Sequence, residues 1–394
     1  MQYYEDIQPW VMDNKPVSVK EDNDHLGLIV SGYKEEEKNI DLKIKKARGS
    51  LFKLFGPAFS SKCLLSPAVQ IHLYKIYICP ISRSGLSGMT LRENHLEPLM
   101  SFQKKVFRGF LHLSDRSPIP SLYFLTGDLP IVAKLHRDIF SVFFNIWINP
   151  QTKIFEIIRY LLQNSPDNSH TWARHIRNLA IIYEMEDPAE LIEQTPQTKN
   201  EFGNYVLTKI TVHYEKKLRL AAKTNSKMKF LNVNVKGLNG RVHPALSGLL
   251  STQDVQKARS HIKMLCDDLY TYERKAEYQG GSPHCRFCLE TNLQNSENII
   301  HIITECSLYK DARQRILPQI EIICSTAKSE VCFQDILSNQ AELAQFLLDC
   351  TSLNLKNRIS EKDEVCQALF KLARDFCSSI MKKRNQKLKI LKKT

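Results

Sequence analysis

Four residues near position 300 have the types and spacing that hold a metal ion. Cys285 and Cys288 are separated by two residues, His301 follows after twelve more, and Cys306 after a further four. A two-residue gap lets one tight turn aim both thiolates at a single ion. A short helix over 298 to 305 would deliver His301 and Cys306 about one turn apart. Three thiolates and one imidazole fill a tetrahedral shell and leave no position for water, so the array predicts one structural Zn2+ rather than a catalytic metal. His284 is the competing ligand, and Arg286, between the first two cysteines, is placed for a nucleic-acid contact. The first ten residues carry Glu5 and Asp6 and no apolar core, unlike a secretory leader. The eleven cysteines, an odd number, therefore read as thiols and metal ligands rather than as a disulfide framework.

No other motif with a chemistry of its own emerges. Asp267-Asp268, after Met264-Leu265-Cys266, has the look of a metal-binding carboxylate pair, but Ile262, Leu265, Leu269 and Tyr272 run through it at helical spacing, whereas such a pair belongs in a tight hairpin. Phosphate-binding loops, dinucleotide fingerprints, nucleophile elbows and zinc-protease motifs are missing from the sequence, so no catalytic residue is expected. The charge balance points to binding instead. Lys and Arg number 55 against 42 Asp and Glu, a net +13 over 394 residues, and that excess suits an anionic partner, nucleic acid before a membrane surface. Seven of the positive charges fall in the last thirteen residues: Lys382, Lys383, Arg384, Lys387, Lys389, Lys392 and Lys393. No apolar stretch approaches the ~20 residues that cross a bilayer, so the protein is expected inside the cell, and its basic tail, suited to a nuclear-import signal, is expected to bring it to the nucleus or shuttle it there.

The elements that would position these groups are helical. Only 14 glycines occur, and 43% of residues are hydrophobic, a composition that leans to a helical core. Val17, Val19 and Leu26 to Val30 read as short strands that could form a hairpin. From Asn39, Ile40, Ile44, Ala47, Leu51, Leu54 and Phe55 recur at helical spacing. Lys43, Lys45, Lys46, Arg48 and Lys53 lie largely on the opposite face, until Gly56-Pro57. A second helix is predicted from Pro67 to Ile78, ended by Pro80. A third stripe, Leu96 to Leu113, turns Lys104, Lys105 and Arg108 outward. After a proline-punctuated loop at 114 to 120, Pro130 opens a helix to Asn149, and further helices fit 153 to 163, 170 to 185, 188 to 194, 199 to 222, 252 to 276, 309 to 348 and 361 to 381. Lys223 to Gly248, rich in Asn, Gly and Lys, reads as an exposed loop. The expected fold is mainly α, a multi-helix bundle with a short N-terminal β-hairpin and a small zinc-knuckle module.

The order of these segments resembles the C-terminal part of the reverse transcriptase of LINE-type (non-LTR) retrotransposons. His25-Leu26-Gly27 resembles the aromatic-Leu-Gly of the primer-grip hairpin. Lys45-Lys46-Ala47-Arg48 to Leu54-Phe55-Gly56, Leu73-Tyr74-Lys75 and Ile78-Cys79-Pro80-Ile81 to Ser84-Gly85-Leu86 look like the thumb, with Ser84 where the family usually has Tyr. Leu99 to Leu111, Leu125-Thr126-Gly127-Asp128-Leu129-Pro130, Leu135-His136-Arg137, Trp172 to Tyr183, Asp187-Pro188 and Glu190-Leu191 are similar to the connector. Cys285, Cys288, His301 and Cys306 fall on the terminal knuckle.

The resemblance implies an order of parts: a palm-end and primer-grip remnant at 1–38, thumb-like helices at 39–95, a helical connector at 96–222, a linker at 223–250, a helix at 251–279, the knuckle at 280–310, and helices with a basic tail at 311–394. It also implies RNA and DNA as partners, held mainly by phosphate contacts. The carboxylates that coordinate two Mg2+ in the parent polymerase have no counterpart, so a truncated, non-polymerising chain is expected. Apolar surface that a palm would cover is expected around Leu51, Phe55, Leu73 and Tyr77. The competing readings are a domesticated helical zinc scaffold and, with less support from a single finger, a sequence-specific DNA binder.

Overall fold

The computed structural model describes residues 11–12, 15–16, 21–56, 65–166, 168–234, 238, 240–288, 295–326, 333–352 and 364–391. The chain is mainly helical. A two-residue ladder, β1 (Val11–Met12) on β2 (Lys15–Pro16), precedes an antiparallel hairpin of β3 (Asp22–His25) and β4 (Leu28–Ser31), with His25 opposite Leu28. Leu26 and Gly27 form its turn with φ of 50° and 79°. Two positive φ values give the turn whose twist matches that of paired strands. The valines at 17 and 19 lie outside the described residues.

Helix α1 (Glu35–Phe55) holds the hairpin through its polar side chains. Asn39 Nδ2 donates to Ile29 O at 2.7 Å, and its Oδ1 accepts from Ile29 N at 2.8 Å. Lys43 Nζ donates to Gly27 O at 3.0 Å and to Ser84 Oγ at 3.3 Å. The inner face of α1 buries Ile40, Ile44, Ala47, Leu51 and Phe55, and Phe55 meets Phe110 edge-on at 5.3 Å. α2 (Pro67–Leu73) does not stop at Pro80. It widens into a π-turn over Tyr74–Ile78 and continues as α3 (Cys79–Arg83). Cys79 N–H reaches back five residues to Tyr74 O, and the wider turn makes room for a proline that offers no N–H to the ladder.

The middle of the chain is α4 (Glu93–Leu111), α5 (Ile119–Thr126), α6 (Ile131–Trp147), α7 (Lys153–Asn164), α8 (Trp172–Ile182), α9 (Pro188–Leu191) and α10 (Lys199–Lys223). α5, which the proline-rich sequence did not announce, is buried from Pro120 to Thr126. Phe143, Phe144 and Trp147 of α6 surround Phe202 of α10, with ring centroids 5.3 to 6.4 Å apart. The C-terminal part is α11 (Thr252–Leu265), α12 (Tyr272–Gln279), α13 (Ile299–Thr304), α14 (Lys310–Thr326), α15 (Phe333–Ser338), α16 (Gln340–Leu348) and α17 (Glu364–Leu391). α17 lies against α11 and α14.

Three expectations are corrected. The segment 252–276 is two helices, because Asp267 takes φ 46° and Asp268 accepts from Ser114 N at 2.7 Å. The segment 223–248 is not an exposed loop: Phe230, Leu231, Leu238, Ala245 and Leu246 are buried. It straps the turn after α5 to the C-terminal helices, with His243 N donating to Leu125 O at 2.9 Å and Asn232 N to Asp349 Oδ2 at 2.8 Å. The last helix runs to Leu391, so its basic end is helical, while Lys392 and Lys393 lie outside the described residues. No helix among the described residues is long and apolar enough to cross a membrane.

Gly127 sits where this strap crosses. Its φ is +59°, and a Cβ there would stand 1.7 Å from Arg241 O. Gly127→Ala should therefore cost about 2 to 4 kcal/mol in urea unfolding, from left-handed strain plus a backbone clash. A cost below 0.5 kcal/mol in that measurement would contradict the crossing.

Buried histidines set the acid stability. Burial holds His136 down to about 3, His112 to about 4 and His261 to about 4. The unfolded chain protonates these rings near the ordinary value of about 6.5 while the folded chain does not, so stability is full above that value and falls as pH drops below it. His136→Gln should flatten the fall between about pH 6 and 4.5 by up to about 1.4 kcal/mol per pH unit in urea unfolding. An unchanged slope would show that His136 titrates alike in both states.

Candidate metal centre

The chain around Cys285 is set by backbone pairing. Cys285 N donates to Asn295 O at 2.8 Å, His284 bridges Ser296, and Cys288 N turns back to Cys285 O at 3.1 Å. This turn points both sulfurs to the same side. Asn298 caps α13, its Oδ1 accepting from His301 N at 2.9 Å, and the chain leaves the helix with Cys306 N on His301 O at 2.8 Å. Helix and exit thus bring an imidazole and a thiol to the cysteine turn, as the spacing predicts.

Cys285, Cys288, His301 and Cys306 are all buried, and their ligand atoms lie within 4.8 Å of one another. Cys285 Sγ is 3.8 Å from Cys306 Sγ, Cys288 Sγ 3.6 Å from Cys306 Sγ, and Cys288 Sγ 3.5 Å from His301 Nε2. The group could hold one metal ion. The hydrogen bond from Cys306 draws the Cys285 thiol down to about 4 against the burial that would raise it, so a thiolate donor is present at neutral pH. His284 is not a member of the group, and neither are Asp267 and Asp268. Asp267 instead pairs with Arg274 at 2.6 Å, and Asp268 accepts from Ser114.

Residues that the motif does not contain complete the centre. Glu305 Oε2 lies 3.0 Å from His301 Nδ1, which fixes the ring with Nε2 facing the sulfurs. Arg313 Nη2 donates to Cys306 O at 2.7 Å and to Glu305 O at 3.0 Å. Glu297 and Arg384, both buried, join through two hydrogen bonds of 3.0 and 3.1 Å, tying the segment before α13 to α17. Glu305 was open to discovery as the acid one helical turn after His301; the partner of Glu297, 87 residues away, was not.

The cations expected to meet nucleic acid divide into three sets. Lys45, Lys46, Arg48, Lys53, Lys105, Arg286 and Lys382 are exposed. Lys104 is engaged by Glu97 at 3.1 Å, Lys383 by Asp311 at 3.0 Å, and Arg108 by Ser117. Two expectations are overturned. Lys43 and Arg384 are buried in internal hydrogen bonds, Lys43 with the hairpin and Arg384 with Glu297, so neither is free for an outside phosphate. Arg286 lies over the Tyr272 ring at 5.2 Å. His25, Leu26 and Gly27 are exposed at the hairpin tip. Leu51 and Phe55, expected as uncovered surface, are buried because α4 covers them. The exposed apolar groups nearby are Phe52, Ile76 and Tyr77.

No protein-family model matches the chain, and neither a curated protein nor a solved structure matches it.

Glu305→Ala should lower metal affinity by about 10- to 100-fold while leaving one metal per chain at saturation. Cys285→Ser should remove the metal and the protection of residues 280–310 in hydrogen exchange. Chelator competition with metal analysis reads both, and a Cys285→Ser protein with undiminished metal content would refute the assignment.

Proposed function

We propose that this chain is a nucleic-acid-binding protein braced by one structural zinc ion. The single observation that carries the binding is the outer face of α1. Lys45, Lys46, Arg48 and Lys53 are exposed there, and none has a carboxylate within ion-pair distance among the described residues. Other cations are paired: Lys38, at the start of α1, with Asp22, Lys257 with Asp375 and Arg159 with Glu193, each at 2.6 Å. On α1 the four charges flank Gly49, where a Cβ would meet nothing within 4 Å, and Phe52, which is 62% exposed. An open backbone, unpaired cations and an aromatic ring on one face suit a phosphate backbone with stackable bases.

The donor set and spacing support zinc. A Zn–S bond of about 2.3 Å and a Zn–N bond of about 2.1 Å at tetrahedral angles require S···S near 3.8 Å and S···N near 3.6 Å. The observed separations are 3.6 and 3.8 Å between sulfurs and 3.5 Å from sulfur to nitrogen. With four protein donors the ion has no open position, and its binding energy goes into folding residues 280–310. The likeness to the C-terminal region of LINE-type reverse transcriptases extends the proposal: the partner is then RNA or DNA held through phosphates, by a chain that binds rather than polymerises, in or in transit to the nucleus.

A protein scaffold is the second reading. The observation that favours it is the apolar outer face of α7, where Ile154, Ile157 and Tyr160 are more than half exposed.

Salt dependence separates the two. Binding to single-stranded RNA or DNA should weaken linearly on a log–log plot against salt. Replacing Lys45, Lys46, Arg48 and Lys53 by Ala should reduce the slope by about 3, at ~0.7 per phosphate contact. Fluorescence anisotropy at several salt concentrations measures it. Absence of binding by the zinc-loaded protein at low salt would leave the scaffold reading standing.

A further inference from the structure

A second concentration of positive charge lies on a different part of the molecule from the α1 face, in a cavity of about 280 Å³ between α3, the start of α6 and the strap around Gly240. Four cations line it: Lys75, Arg83, Lys134 and Arg137. Two carboxylates answer them. Asp128 takes Lys134 Nζ at 2.7 Å and Lys75 Nζ at 3.8 Å, and Asp138 takes Arg83. Lys75 is further fixed by donating to Gly240 O at 2.8 Å.

Arg137 is left over. It has no hydrogen bond or ion pair among the described residues; it is exposed on the wall of the cavity that Arg83 also lines, and partial burial and then the Arg83 charge lower its affinity for a proton. Two guanidiniums lining one cavity repel, and an anion bound between them would relieve the repulsion that Asp138, held by Arg83, leaves at Arg137. The cavity wall is otherwise partly apolar, through Leu207 and Leu238, which strengthens any charge interaction inside. At its mouth it adjoins a larger cavity of about 440 Å³ that shares Lys75 and Gly240 and adds His72 and Arg241.

We propose that this cleft binds a phosphate group, with Arg137 as its principal ligand and Lys75, Lys134 and Arg83 as a preset positive frame. Four cations against two carboxylates leave two positive charges, which the dianion of a phosphate monoester balances in full and the single charge of a strand's phosphodiester balances by half. A guanidinium opposite ammonium groups supplies the forked and point-like donors that phosphate oxygens accept. The phosphate is either the diester of a nucleic-acid strand or the group of a small phosphorylated molecule. The site does not depend on the α1 face.

The test compares full-length zinc-loaded wild type, Arg137→Ala and Arg137→Lys. Arg137 makes no hydrogen bond or ion pair among the described residues and adds to the positive charge of the cavity, so Arg137→Ala should melt, without phosphate, at or above the wild-type temperature. Inorganic phosphate, against chloride at equal ionic strength, should raise the wild-type melting temperature and bind Arg137→Ala at least about 10-fold more weakly, with Arg137→Lys between them. A labelled oligothymidylate then identifies the source. A parallel loss of about 10-fold in Arg137→Ala assigns the site to a strand. Unchanged oligothymidylate binding with weakened phosphate binding assigns it to a small molecule. Phosphate that stabilises wild type and Arg137→Ala equally, or neither, overturns the proposal. A wild type that ignores oligothymidylate at low salt but binds phosphate through Arg137 defeats the nucleic-acid reading and leaves the cleft standing.

Discussion

The C-terminal part of the molecule depends on one buried ion pair. Glu297 is fully enclosed, and its carboxylate takes two N–H groups of Arg384 and the backbone N of Tyr272 at 2.7 Å; Arg384 gives a further hydrogen bond to Tyr270 O at 3.1 Å. Both charges are therefore satisfied in a place where water cannot reach them. Losing one partner of such a pair costs about 3 to 5 kcal/mol, because the other is left charged and alone, whereas exposed pairs such as Lys383 with Asp311 contribute about 0 to 1 kcal/mol. The pair joins three things at once: the segment that leads into the candidate metal group, the break between α11 and α12, and the long last helix.

The metal group and the fold class were legible in the sequence because both are local. Cysteine and histidine spacing is a property of one stretch of chain, and a tight turn and a short helix are all that is needed to close it. The stripe of α1 is likewise written in consecutive residues. What could not be read is which polar side chains fold inward. Lys43 has the composition of a solvated lysine, and only the approach of the hairpin turn and Ser84 makes it an internal donor. Arg384 belongs to a run of cations, and nothing in that run marks it as the one facing a carboxylate 87 positions earlier.

Breaks and straps were hidden for the same reason. The apolar spacing through 262 to 272 continues without interruption, yet Asp268 is held by Ser114, 154 residues away, and the helix gives way to that contact. The stretch from 223 to 248 has the glycines, asparagines and lysines of a surface loop. Its scattered Phe230, Leu231, Leu238 and Leu246 are enough to bury it once the turn after α5 and the C-terminal helices offer a groove. Pro80 gave the opposite error: a helix breaker by local rules, accommodated by one widened turn.

That last helix has a mechanical consequence. Its 28 residues span about 42 Å at 1.5 Å per residue. It is pinned at two levels: Arg374 donates to Ser247 O at 3.2 Å, and ten residues on, Arg384 grips the metal module. A rod fixed at two points cannot tilt at one end without straining the other. A load on its projecting basic end is therefore carried as torque into both the strap and the cysteine turn, and these two distant regions share a single rigid strut.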